Sequence, residues 1–256
     1  MATCSICGES RKLIKAHIVP EAFYRELRAD GGTPMLISDQ PGKFPARAPI
    51  GTYDKTILCG SCEGLFQTVD AYAVDVLLKR FDYHFRPVQL LDELIGYESD
   101  TVDAETILKF LVAVLWRASV SSHQAYAHVH LAKHQEVALA VVTDPENQVP
   151  EIFDAVLSKW RDTDATVPTT AILNPIPEGL MGINTIRLSL GKFVARVKVD
   201  LRAYPDAIAA SGIRAAPPLI IAAREMVSSP DFRSMRRIAE INREKMGAIN
   251  GKNESP

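Results

Sequence analysis

The chain lacks the features that define several large classes of protein. No stretch of its 256 residues approaches the roughly 20 apolar residues of a membrane helix, and its first residues lack the charged-then-apolar order of a signal peptide. It has no glycine-rich phosphate loop, no G-x-S-x-G motif, no dinucleotide-binding fingerprint and no internal repeat. We therefore expect a cytoplasmic protein with no membrane partner, and neither nucleotide cofactors nor acyl transfer has support.

An excess of basic residues is also missing. The 29 Lys and Arg residues are balanced by 31 Asp and Glu residues, for a net charge of −2. This excludes a globally basic nucleic-acid binder, so any surface for phosphate groups must be local. Several basic residues of the N-terminal part could contact phosphates, although a mixed, solvated surface is the simpler interpretation of each. They are Lys12, Lys15, Lys43, Arg47 and Lys55.

The chain has only four cysteines, which fall into two Cys-x2-Cys pairs, Cys4/Cys7 and Cys59/Cys62. In a reducing compartment this spacing favours metal binding over disulfides, and four thiolates are the typical ligands of structural Zn2+. The alternative is four unrelated buried thiols. We predict that all four bind one structural zinc, whose binding energy would help a loop-rich segment to fold.

The residues around the cysteines predict the order strand, loop, strand, helix. Residues 11–19 have the pattern of a strand with His17 near its end, and Pro20 resembles the start of a helix running to about Arg28. Residues 31–51 contain eight Gly or Pro, which predicts a long loop. A second strand over 53–59 and a helix over 62–81 follow.

The remaining sequence predicts a second unit around an apolar helix. Residues 103–122 are apolar nearly all round, with Asp103 and Glu105 suitably placed near the helix N-terminus. A helix over 130–141, a β-hairpin around Gly191 and Lys192, and a basic helix over 230–246 are also predicted. We predict an α+β protein: a small zinc-stabilised ββα-metal finger over 1–81, then a mostly helical α+β domain over 82–256 with a β-hairpin.

The order Cys-x2-Cys, then AHIVP (residues 16–20), then ILCGSCE (residues 57–63) opening a helix resembles the HNH or His-Me finger (ββα-metal) endonucleases. The resemblance covers about the first eighty residues. It implies that a histidine ending the first strand is a general base, and that one divalent cation is bound by a residue of the following helix and often by another near the first strand. His17 stands at the histidine position, whereas Glu63 and Ala16 depart from the residues that many members have.

The resemblance implies specific roles for these residues. A neutral imidazole at His17 could take a proton from water, and Glu63 is the best-placed carboxylate for Mg2+ or Mn2+. Asp54 is the second candidate ligand and Asp70 a weaker third. The alternative is that His17 only packs or bonds a backbone carbonyl, and that Glu63 is a solvated acid.

The predicted function is an HNH-like endonuclease that cleaves phosphodiester bonds of DNA. The rival is a non-catalytic zinc module that binds nucleic acid or a protein partner. The second unit would choose the target: it could bind DNA, sense a ligand or form a homodimer, and nothing in residues 82–256 decides among these. Four histidines, His123, His128, His130 and His134, are interpreted as surface or partly buried residues. The last two, at i, i+4, could ligate a metal, but the segment has no other close ligand apart from Glu136.

Overall fold

The computed structural model describes residues 2–28, 35–36, 46–144, 146–161 and 172–253. Most of the loop predicted over 31–51, including Lys43, lies outside the described residues. Within the described ranges, no helix combines the length and apolar character needed to cross a membrane.

The first part of the chain contains short elements. They are β1 (Ala16–His17), α1 (Glu21–Glu26), β2 (Met35–Leu36), β3 (Ala46–Arg47), β4 (Tyr53–Asp54), α2 (Gly60–Glu63), α3 (Gln67–Val74) and α4 (Phe81–His84), with a 3-10 turn at Gly64–Phe66 and a π-helical turn at Asp75–Lys79. β1 pairs antiparallel with β4, and β2 with β3.

The two predicted strands and the helix are present in the predicted order, but the predicted strand lengths are wrong. The described part of the segment predicted as a loop contains the short strands β2 and β3. The β1–β4 ladder is confined to two residues of each strand, because the Asp54 carboxylate accepts hydrogen bonds from Thr56 and turns the chain. An isolated bridge between Leu13 and Cys59 continues the contact between the two segments. The predicted helix over 62–81 is divided among α2, the 3-10 turn, α3 and the π-helical turn.

The second part of the chain forms one large sheet with helices. Its elements are β5 (Arg86–Leu90), β6 (Glu93–Ser99), α5 (Ala104–Val120), α6 (Gln135–Thr143), β7 (Phe153–Trp160), β8 (Ile176–Leu180), β9 (Ile183–Leu190), β10 (Phe193–Val199), α7 (Asp206–Ala209), β11 (Leu219–Arg224) and α8 (Pro230–Asn253). Across the described residues the sheet has seven strands, in the order β5-β6-β11-β7-β10-β9-β8. Of the pairs between these strands, only β11–β7 is parallel.

The α+β class is confirmed, but the prediction of a mostly helical second part is wrong. The predicted hairpin is present as β9 and β10, where Leu190 pairs with Phe193 across a two-residue turn. Gly191 adopts a φ of 68° in this turn, which favours glycine. The hairpin belongs to a sheet whose other five strands were not predicted.

The apolar helix predicted over 103–122 is confirmed as α5. The Asp103 carboxylate caps it by accepting a hydrogen bond from the Thr106 N–H at 3.1 Å, and Glu105 lies in its first turn. Its Phe110 stacks on Phe23 of α1, with ring centroids 5.7 Å apart. One cluster of buried side chains therefore runs from the N-terminal residues to the inner face of the sheet, while the division at residue 81 stays a prediction.

The outer face of the sheet is covered in part by the start of α8. Phe232 and Met235 of this helix pack against buried Trp160, Val194 and Met226. α8 begins at the predicted residue but runs to Asn253 rather than 246. The helix predicted over 130–141 begins instead at Gln135, after a 3-10 turn.

Candidate functional site

The two cysteine pairs come together at one point of the N-terminal part. The sulfur atoms of Cys4, Cys7, Cys59 and Cys62 all lie within 4.8 Å of one another. Each pair lies in a tight turn: the Gly8 N–H donates to the Cys4 carbonyl at 3.0 Å, and the Glu63 N–H to the Cys59 carbonyl at 3.0 Å. The cluster therefore lies where the segment before β1 meets the start of α2.

The pKa values of the thiols indicate that the cluster needs a cation if all four are to ionise. A hydrogen bond from Ser61, followed by one from the Cys62 backbone, lowers the pKa of Cys59 to about 6. Burial, followed by the neighbouring thiols, raises the pKa of Cys62 to about 12. Four adjacent sulfurs cannot all ionise without a compensating positive charge, and four sulfur ligands suit a soft tetrahedral metal ion. Among the described residues, this is the only group of three or more His, Cys, Asp or Glu side chains whose ligand atoms lie close enough together to hold one metal ion.

His17, at the end of β1, is held by a backbone carbonyl. Its Nε2 lies 3.0 Å from the Ile50 oxygen. Because a carbonyl can only accept, Nε2 donates the hydrogen bond and the lone pair of the neutral ring is on Nδ1. Burial lowers the pKa of His17 below its ordinary value of 6.5, although the Ile50 bond opposes this. The ring is therefore neutral at about pH 7.

The carbonyl that holds His17 is fixed by the residue after it. Gly51 has a φ of 77°, and a Cβ there would lie 2.3 Å from ring atoms of Tyr24. A side chain at this position would both strain the backbone and collide with that ring. The close approach of the 50–51 segment to Tyr24 of α1 therefore requires glycine.

Glu63 ends α2, directly after the last cysteine. Its Oε2 is buried and, within the described part of the chain, has no hydrogen-bond partner. Burial raises the pKa of Glu63, and nearby Arg117 opposes the shift. The side chain is therefore not the solvated acid of the alternative interpretation. An unpaired buried carboxylate oxygen is costly unless it is protonated or binds a cation.

Arg117 of α5 is a site residue that the sequence analysis missed. Its guanidinium is buried and donates two hydrogen bonds to Asp70, at 2.7 and 2.8 Å. It also lies 4.6 Å from the ring centroid of Phe66. Its charge lowers the pKa of both His17 and Glu63, so the two candidate catalytic residues share this neighbour. The sequence did contain a signal for this residue: Arg117 is the one arginine of an apolar helix, and a buried charge needs a partner.

The structure does not bring Asp54 together with His17. In the β1–β4 pair Ala16 lies opposite Asp54 and His17 opposite Tyr53, so the side chains of Asp54 and His17 are on opposite faces. The buried Asp54 carboxylate accepts five hydrogen bonds, from Thr56, Ser121 and Ser122. Burial opposes them, but together they lower its pKa to about 2. Asp70, the third candidate, is paired with Arg117.

Comparison with known proteins adds no relative. The chain matches no family model, no curated protein and no solved structure. The resemblance of its N-terminal part to the HNH endonucleases therefore rests on the quoted motifs and stays a prediction.

Proposed function

We propose that the protein is a zinc-stabilised, metal-dependent endonuclease that hydrolyses phosphodiester bonds of DNA. His17 is the general base, and Glu63 is a ligand of a divalent cation, Mg2+ or Mn2+. The observation that carries the proposal is the hydrogen bond from His17 Nε2 to the Ile50 oxygen, which leaves Nδ1 as the basic atom. The thiol cluster would hold Zn2+, and free thiols of this kind persist in the reducing cytoplasm.

His17 would act by taking a proton from water on Nδ1 as the water oxygen attacks phosphorus and the ester P–O bond breaks. The Ile50 carbonyl fixes the plane of the ring and stabilises the imidazolium that forms. The lowered pKa of the half-buried ring keeps it in the proton-accepting form at neutral pH. These features require only residues of β1 and of the 50–51 segment.

Glu63 fits the cation because its buried Oε2 has no hydrogen-bond partner among the residues that the structure describes, and carboxylate oxygen is a ligand that Mg2+ and Mn2+ prefer. Water can complete the coordination shell around a single carboxylate. When bound, the cation would neutralise charge on the scissile phosphate and the departing oxygen. Asp54 has no part in this proposal, since its oxygens already accept five hydrogen bonds.

A plasmid-nicking assay tests the proposal. We expect nicking with Mg2+ or Mn2+ and none with EDTA, and His17→Ala to lower the rate about 100- to 10,000-fold. Glu63→Gln, which keeps the size of the side chain, should shift the metal dependence to higher concentration. His130→Ala, at an exposed histidine elsewhere, is the matched control. A His17→Ala variant that nicks at the parental rate would reject the mechanism.

The rival function is a non-catalytic module that binds nucleic acid through the same finger. The hydrogen bonds to Asp54 favour this rival function. Among the described residues, they leave Glu63 as the only candidate metal ligand with a carboxylate oxygen that lacks a hydrogen-bond partner. DNA binding without nicking, at any concentration of Mg2+ or Mn2+, would support this function over the endonuclease.

A further inference from the structure

The two faces of the β1–β4 ribbon differ sharply. Ala16 and Asp54 point to the buried face, and both are at most 4% exposed. His17 and Tyr53 lie opposite each other on the other face, with ring centroids 6.1 Å apart. Because side chains alternate along a strand, the residues flanking this pair, at positions 15 and 55, are directed to the same face. We call this surface the ribbon face: Lys15, His17, Tyr53 and Lys55.

The ribbon face combines an aromatic ring with flexible cations. The ammonium groups of Lys15 and Lys55 lie 5.1 and 5.8 Å from the centroid of the Tyr53 ring. Both lysines are exposed, so they can reach phosphate groups in solvent. Aromatic rings with neighbouring cations are typical of surfaces that bind single-stranded nucleic acid, where bases stack and phosphates pair with the cations.

A broad cleft of about 430 Å3 adjoins the ring, lined by Tyr53, Asp54, Lys55, Ser122 and His123. This volume is in the range of clefts that hold small ligands. The lining holds one charge of each sign: the exposed ammonium of Lys55, and the carboxylate of Asp54, which is 4% exposed and accepts hydrogen bonds on both oxygens. The cleft therefore offers space beside the ring, with the accessible positive charge of Lys55 on its rim.

We propose that the ribbon face binds single-stranded DNA, with an unpaired base stacked on Tyr53 and the flanking phosphates contacted by Lys15 and Lys55. This inference rests on the proposed function, since it would place a phosphodiester beside His17. Bases inside a duplex are already stacked on one another and cannot stack on the ring. The preferred substrate is then DNA with unpaired nucleotides at the cleavage point.

Fluorescence anisotropy in EDTA tests binding without cleavage, using a labelled strand of about 12 nucleotides and the same sequence as a duplex. We expect the single strand to bind more tightly. Tyr53→Ala should weaken that binding about 5- to 150-fold, whereas Tyr53→Phe should stay within about twofold, because the ring supplies the stacking. Lys15→Gln and Lys55→Gln should each reduce the salt dependence by about 0.7 in log–log slope.

The controls are Tyr83→Ala and Lys133→Gln, at exposed positions elsewhere in the chain. Zinc content and melting temperature check that each variant folds. Photo-crosslinking of a strand containing 5-iodouracil should label Tyr53 in the unmodified protein, which gives a readout independent of any variant. Equal affinity for duplex and single strand, or crosslinks that avoid the ribbon face, would overturn the inference.

Binding and cleavage can fail separately in this design. Single-strand binding through Tyr53 without metal-dependent nicking would support the ribbon face and reject the endonuclease. Nicking that depends on His17 but is unchanged in Tyr53→Ala would support the endonuclease and reject the ribbon face.

Discussion

The carboxylate of Asp54 fastens β4 to the turn that follows α5. It joins two segments of the chain, since its donors belong to Thr56 in its own segment and to Ser121 and Ser122 after α5. These bonds favour the ionised form, so its pKa falls from 3.8 to about 2. A shift of this size corresponds to about 2 kcal/mol of stability, present above the unfolded pKa and lost as pH falls toward 2.

Asp54→Asn should therefore lower the free energy of unfolding by about 2 kcal/mol at neutral pH, because the amide cannot accept all the hydrogen bonds of the carboxylate. It should also flatten the loss of stability between about pH 5 and pH 2. Urea unfolding over that pH range measures both effects, with Asp82→Asn, an exposed aspartate, as control. If folded Asp54→Asn lost metal-dependent nicking, Asp54 would be a cation ligand after all.

At the same scale, only part of the candidate site could be predicted from the sequence. The Cys-x2-Cys spacing located all four sulfurs, because a tight turn brings both members of a pair to one point. Arg117 was missed because its partners, Asp70 and Phe66, are brought to it only by the packing of α3 and of the preceding 3-10 turn on α5. The hydrogen bonds to Asp54 could not be predicted either, because its donors Ser121 and Ser122 are distant in sequence.

At the scale of elements, one ion pair joins α3 to α5. The Arg117 side chain is 1% exposed and that of Asp70 19%, so the arginine depends on its partner more than the aspartate does. Removing one member of a buried pair leaves an uncompensated charge, which costs about 3–5 kcal/mol. The pair therefore fixes α3 to α5, the central helix of the core.

Asp70→Ala should cost about 3–5 kcal/mol of stability, and the double variant Asp70→Ala with Arg117→Met should cost less than the two single changes added together. The reason is that methionine leaves no buried charge without a partner. Urea unfolding of the four proteins of this cycle gives the coupling energy. Asp75→Ala, which breaks an exposed pair with Arg80, is the control and should cost about 1 kcal/mol or less. Additive losses at Asp70 and Arg117 would show that the pair is not coupled.

There are specific physical reasons why strands of the large sheet were not predicted from the sequence. The turn between β5 and β6 uses Leu91 and Asp92 at positive φ, so it carries no glycine signal. β8 contains Pro177, which argues against a strand except at a sheet edge, where β8 lies. β7 is buried on both faces, and polar Asp154 and Ser158 are buried on the same face as Trp160, which hides the alternation of a half-exposed strand.

At the scale of the whole molecule, the N-terminal part and the sheet share one hydrophobic core. Cys4, Phe23 and Phe66 belong to the same buried cluster as Phe193 and Ile221. Phe81 further connects the two parts, since its ring centroid lies 5.4 Å from that of Phe193. Side chains that pack in one cluster tend to unfold together, because losing one part exposes apolar surface of the other.

Loss of the proposed zinc should therefore coincide with global unfolding. We expect urea to release about one zinc per chain at the same midpoint at which the far-ultraviolet circular dichroism is lost. Cys62→Ser should lower both the zinc content and the midpoint, whereas Ser5→Ala, an exposed residue between two ligands, should leave both unchanged. Zinc release at a lower urea concentration than the main transition would contradict the prediction that the chain unfolds as one unit. It would show instead that residues 1–81 unfold on their own, as the two-domain prediction requires.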